Sequence, residues 1–224
     1  MILSPAGDNN KIVMNTNENK PVVIRNKSIT RKRLIDAVGT LLAKKGFKAL
    51  GINALARQAG VDKVLIYRYF GGLPGLIAAY GKEGNFWPTA RELAGGDPMA
   101  FTRLPLQEKL SMAARNFIKA LKSRPVTLEI MIWEMSERNE LTVQLEDVRE
   151  KSIREFFNMF MPANMAGQEL QAIAALFGSA ISYLVLRSRN IDIYAGIELG
   201  KESGWERLEN AMDMIIRSVI SMDR

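Results

Sequence analysis

The 224-residue chain is predicted to be all-α. Apolar residues recur at steps of three and four in one segment after another, which places them along one side of a helix. Glycines and prolines fall between those segments, where helices stop and start. The length allows one or two domains with a sizeable core. The sequence contains neither cysteine nor histidine. That excludes disulfides, thiolate metal sites, Ser-His-Asp triads and histidine general bases.

Residues 1–28 are rich in Asn and Lys, contain Pro5, Gly7 and Pro21, and lack a period. They read as a mobile tail. Within it, 21–24 reads as a short extended piece, and Arg25 and Lys27 as groups able to reach a minor groove. Thr30 is the expected N-cap of a helix over 31–45, with Leu34, Ile35, Val38, Leu41 and Leu42 as its stripe. Gly46 ends it and Phe47 closes a small core.

The best-organised stretch is 51–70, G-I-N-A-L-A-R-Q-A-G-V-D-K-V-L-I-Y-R-Y-F. Ile52, Leu55, Ala56 and Ala59 form the stripe of a short helix. Gly60 permits the left-handed backbone that ends it. Val61 is an apolar plug, and Asp62 the N-cap of a second helix over 63–70. Two short helices joined at a Gly turn make a helix-turn-helix, whose second helix can lie in a DNA major groove.

Charge agrees with that reading. From Arg25 to Phe70 there are eleven Lys/Arg and two acids, whereas from Gly71 onward there are eighteen Lys/Arg and twenty acids. A basic module joined to a near-neutral one fits phosphate binding with counterion release.

A linking helix is expected from about residue 72, with Leu76, Ile77 and Tyr80 inward. Gly71, Gly72, Gly75, Gly81 and Gly84 make this link look soft, ending near 86–88. Residues 94–105 read as a loop. Helices follow over 106–123, 125–138 and 139–161, with a turn at 162–167. The last two helices, 168–189 and 204–222, carry wide apolar faces. The acids Glu129, Glu134, Glu137 and Glu140 read as a solvated face, and neither metal nor cofactor is expected.

Residues 31–70 resemble the DNA-binding module of the TetR/AcrR family of transcriptional regulators. The resemblance rests on K-K-G-F, L-A-R-Q-A-G-V and Y-R-Y-F, in that order and spacing. It implies an N-terminal three-helix DNA-binding domain over 29–72 and a C-terminal helical ligand-binding and dimerisation domain over 73–224. Such a protein would be a homodimeric, non-enzymatic repressor. It would bind a near-palindromic operator and be released by a small-molecule effector. The DNA-contacting residues so implied are Thr30, Arg31, Lys32, Arg33, Asn53, Lys63, Val64, Leu65, Tyr67, Arg68 and Tyr69. Three positions depart from the family: Val64 and Leu65 stand where small or hydroxyl residues are common, and Leu73 where a lysine often contacts phosphate. Val64 and Leu65 could still touch a thymine methyl.

The same resemblance implies a pocket in the helical body, with Phe101, Met112, Phe117, Met131, Trp133, Met135 and Tyr183 as candidate walls. It implies pairing of the last two helices with a second copy. Ile173, Phe177, Ile181, Leu184, Trp205, Met212 and Ile216 are the candidate interface. No run of eighteen apolar residues and no secretory signal is evident in the sequence. A cytoplasmic protein that does not span a membrane is therefore expected.

Overall fold

The computed structural model describes residues 24–161 and 168–222. The expected turn at 162–167, and the expected tail and extended piece up to residue 23, lie outside the described residues. The fold is helical. It begins with α1 (Ile24–Lys45), a 3₁₀ turn (Phe47–Ala49), α2 (Ile52–Ala59) and α3 (Val64–Phe70). Next come α4 (Leu73–Glu83), α5 (Ala90–Leu93), α6 (Pro98–Thr102), α7 (Leu106–Lys122), α8 (Pro125–Ser136) and α9 (Glu140–Phe160). α10 (Gln168–Arg187), a short hairpin of β1 (Ile193–Tyr194) and β2 (Ile197–Glu198), and α11 (Glu202–Met222) complete the described chain.

Three elements depart from the sequence expectation. α1 starts at Ile24, so Thr30 lies inside a helix rather than capping it, and 24–28 are helical rather than tail. The expected loop at 94–105 contains α6. There Asp97 Oδ1 accepts from the N–H of Met99 at 3.0 Å and of Ala100 at 3.1 Å, with Pro98 in the first turn. That is ordinary N-capping in a segment whose composition suggested only a turn. The antiparallel hairpin was not foreseen. Its turn residues, Ala195 and Gly196, both have positive φ (49° and 77°), the backbone of a two-residue turn that matches strand twist.

One continuous core joins the first three helices to the body. Leu34, Val38, Leu55, Ile66, Leu76 and Ile77 are all fully buried within it. α4 lies between α1 and α3 on one side and α9 on another. A second cluster gathers Phe101, Phe156 and Phe160, with Phe101 and Phe160 edge-to-face at 4.9 Å. α7 packs against both α10 and α11. Lys109 of α7 is buried and donates to the Phe160 carbonyl at 3.2 Å, satisfying the C-terminal end of α9.

Of the glycines of the link, Gly75, Gly81 and Gly84 are points of close approach, while Gly71 and Gly72 hold positive φ at the junction of α3 and α4. A Cβ on Gly75 would stand 1.8 Å from the Phe70 carbonyl oxygen. One on Gly39 of α1 would stand 3.1 Å from the Tyr80 ring. α4 ends at Glu83, ahead of the expected stop at 86–88.

Two measurements follow from this packing. Gly75→Ala should lower the urea midpoint, at a cost of about 1–3 kcal/mol, because backbone must move to admit the methyl group. Burial pushes the Tyr80 hydroxyl from its ordinary 10.0 up to about 12. The folded chain therefore favours the neutral phenol. That contribution is complete below pH 10 and lost as pH rises from 10 through 12, about 2–3 kcal/mol in all. Denaturation at pH 8 and above pH 11 should show a smaller alkaline loss in Tyr80→Phe than in the wild type.

Candidate functional site

The helix-turn-helix is built as its sequence dictates. Gly60 closes α2 in the left-handed region, φ 63° and ψ 44°, and the N–H of Val61 returns to the Ala56 carbonyl at 3.0 Å. Asp62 Oδ1 accepts from the N–H of Val64 at 2.8 Å, which starts α3 one residue later than expected. Ile66 is fully buried against the core, and Phe70 and Tyr69 are half-buried. This orientation turns Lys63, Val64, Tyr67 and Arg68 outward. Val64 is 59% exposed and Tyr67 56% exposed, unusual for residues of their size on a packed helix. Leu65 is half-buried and packs on the core. Asn53 and Lys63 line one shallow groove of about 590 Å³ beside the turn, together with Arg57.

The candidate cations on α1 are more committed than the sequence suggests. Arg31 makes a two-pronged ion pair with Glu83 of α4, one contact at 2.6 Å, and its guanidinium lies 5.2 Å from the Phe70 ring centre. The hydrogen bonds from Arg31 hold the Glu83 carboxyl below its usual range. Arg31 therefore ties α1 to α4 instead of standing open to DNA. Lys32 pairs with Asp36 at 2.7 Å, and Arg33 donates to the Gly60 carbonyl at 3.4 Å. Thr30 is half-buried in mid-helix. Lys27 lies over the Tyr69 ring at 5.9 Å, so it sits on the recognition helix rather than in a trailing arm.

In the body, a cavity of about 1160 Å³ opens among α7, α8, α9 and α10. Of the candidate walls, Phe117, Met131, Met135 and Tyr183 line it. Phe101 and Met112 belong instead to the second core cluster. Trp133 faces away and stacks on Phe47, ring centres 3.6 Å apart. Residues not anticipated as walls include Trp87, Phe156, Phe157 and the ion pair Glu134–Arg149. Only the three-residue step from Met131 to Glu134 hinted at the latter. The acidic series divides: Glu137 and Glu140 are exposed, Glu137 accepting from Trp133 Nε1 at 3.0 Å, whereas Glu134 is largely buried and Glu129 pairs with Arg189 at 2.5 Å. Among the described residues no cluster of acids is arranged to hold a metal.

The candidate interface residues are also placed differently. Ile173, Phe177, Ile181 and Ile216 line the cavity. Trp205 is buried, its Nε1 donating to the Leu199 carbonyl at 2.8 Å and its ring lying 4.0 Å from Lys122 Nζ. Leu184 and Met212 pack on the core. None of the seven lies on the open side. The apolar residues left in the open on α10 and α11 are Leu176 (73% exposed), Tyr183, Met214 (70%) and Ile215. Alternate faces of both helices are apolar, and the heptad pattern does not say which is covered. α10 also reaches a mean hydropathy of 1.5 over Leu170–Arg187, with 22% of that window buried, although Gln171, Ser179 and Ser182 interrupt it.

Comparison with known proteins agrees with this architecture. The profile of the family described as bacterial regulatory proteins, tetR family, matches residues 34–80. The HTH-type transcriptional regulator BetI of Vibrio vulnificus is 23% identical over 164 residues, covering 71% of this chain and 80% of the relative. A TetR-family transcriptional regulator from Haemophilus influenzae superposes with a TM-score of 0.58 at 19% identity, over 86% of this chain and 97% of its own. The fatty acid degradation regulator FadR of Bacillus halodurans gives 0.57 at 16%, over 84% and 94%. At such identities the two structures speak for the fold alone. The matched profile runs from α1 through α2 and α3 into α4, so the segment that carries the helix-turn-helix geometry resembles the DNA-binding region of tetR-family regulatory proteins.

Proposed function

We propose that the protein is a homodimeric, ligand-responsive repressor. It binds a near-palindromic operator and leaves it when a small molecule occupies the helical cavity. The observation that carries this reading is the outward face of α3, where Val64 and Tyr67 are more than half exposed while Ile66 is fully buried. That face sits in the one strongly basic segment of the chain. In this reading residues 29–72 form the DNA-binding domain and 73–224 the ligand-binding and dimerisation domain. Lys63, Arg68 and Tyr67 meet phosphates or guanine edges, Asn53 meets the backbone, and Val64 meets a thymine methyl. The protein works in the cytoplasm on double-stranded DNA and performs no catalysis.

Dimerisation is supported by the open apolar side of α10 and α11. Leu176, Met214 and Ile215 are each more than half exposed, a combination that calls for a partner surface. A second copy satisfies it by two-fold symmetry. The two recognition helices must then stand about 34–36 Å apart to enter successive major grooves. A ligand that favours another spacing releases the operator by population shift.

Two experiments test the reading. Lys63→Ala should weaken binding to an operator selected from a random pool, about equally across sequence variants, and reduce the salt slope by about 1. Fluorescence anisotropy at several salt concentrations measures both quantities. Leu176→Glu combined with Met214→Glu should convert the dimer to a monomer in sedimentation velocity and abolish operator binding while leaving the helical circular dichroism intact.

A second reading is a helical ligand- or partner-binding protein with weak DNA specificity. The observation favouring it is Val64, an apolar residue at the most exposed turn of α3. Selection from the random pool that enriches no common sequence would establish this alternative and remove the first.

A further inference from the structure

The cavity among α7, α8, α9 and α10 contains one polar group that its surroundings leave incomplete. The Glu134 side chain is nine-tenths buried, at 10% exposure. Its Oε2 accepts from Arg149 Nη1. Its Oε1 is enclosed and has no hydrogen-bond partner among the described residues. Proteins seldom leave a buried acceptor unmatched without a reason. Burial pushes the Glu134 carboxyl up against the pull of Arg149, and nearby Glu146 adds to the push.

The charge of the lining points the same way. Four carboxylates (Glu134, Glu137, Glu146, Glu150) line the cavity against three guanidiniums (Arg138, Arg149, Arg154). The set is one positive charge short of balance. Arg149 is already shared between Glu134 and the face of Trp87, 5.5 Å from the ring centre. An anionic ligand would meet the bare Oε1 and be repelled. Among the other walls, which include Gln171 and Ser182, Phe117, Phe157, Phe177 and Met131 are apolar and polarisable, and aromatic faces favour cations.

We propose that the cavity takes an apolar ligand bearing a protonated amine, whose N–H donates to Glu134 Oε1 while its body lies against the aromatic wall. This rests on the reading that the cavity is the effector site. Glu134 selects the head group, and the rings and methionines accept the body with little discrimination of shape.

The test uses three probes with one shared body: 4-phenylbutylamine, 4-phenylbutanol and 4-phenylbutyrate. Isothermal titration calorimetry on the full chain should show the amine binding about tenfold tighter than the alcohol, as a charge-assisted hydrogen bond warrants, with the carboxylate weakest. Glu134→Gln should erase the amine's advantage, bringing its affinity to about that of the alcohol. The wild-type ranking stands by itself should that variant fold poorly. Equal affinities for amine and alcohol, a preference for the carboxylate, or an amine affinity indifferent to Glu134→Gln would each overturn the head-group assignment while leaving the cavity as an effector site. An amine that binds through Glu134 without loosening the operator complex would overturn the effector reading alone. Failure of all three probes, and of the neutral dye Nile red, to bind would overturn both.

Discussion

A three-helix unit of about forty residues cannot bury enough apolar surface to hold itself together. The helix-turn-helix module is kept in shape by α4, which the body buries on its far side. Leu76 and Ile77 complete the core of α1, α2 and α3, while Gly81 lets α9 approach to about the width of a methyl group. The orientation of α3 is a consequence. Ile66 is held inward by that shared core, and Val64 and Tyr67 are therefore held outward. The Gly75 contact with the Phe70 carbonyl fixes where α3 stops and α4 starts. Arg31 and Glu83 fasten the same seam from its solvent side.

Much of this was written in the sequence, and the reasons for the remainder are physical. The helix-turn-helix was legible because its signals are local: a left-handed Gly60, a carboxylate cap two residues later, and apolar steps of three and four. The start of α1 was not, because Thr30 is a good cap by chemistry and the Asn- and Lys-rich run before it has no stripe to mark a helix. The glycines of the link were misread for a related reason. Propensity treats glycine as a loss of helix stability, whereas at Gly75 and Gly81 the missing side chain admits another group.

The body was legible as helices and illegible as surfaces. α10 and α11 carry apolar residues on more than one side, so periodicity finds the residues without saying what covers them. Ile181, Trp205 and Ile216 proved to be interior, and Leu176, Met214 and Ile215 open. The pairing of Glu134 with Arg149 joins two helices across fifteen residues, a distance at which no spacing rule operates. Likewise Arg31, Lys32 and Arg33 look like three cations in a row, yet Arg31 and Arg33 reach acceptors on other elements, and only Lys32, paired with exposed Asp36 one turn along, stays on the surface of α1. Counting positive charge in the segment therefore overstates what is offered to phosphates.

One feature of α8 reaches further than its size suggests. Trp133 and Glu134 are neighbours in sequence about a quarter-turn apart on the helix, one stacked on Phe47 and the other lining the cavity. Phe47 belongs to the tight turn between α1 and α2. The two rings meet nearly flat, inclined by only 19°. Both rings are half-buried and rest against the main core. A roll of α8 about its own axis would slide the indole across Phe47, so a shift at that wall of the cavity would be felt at the turn ahead of α2.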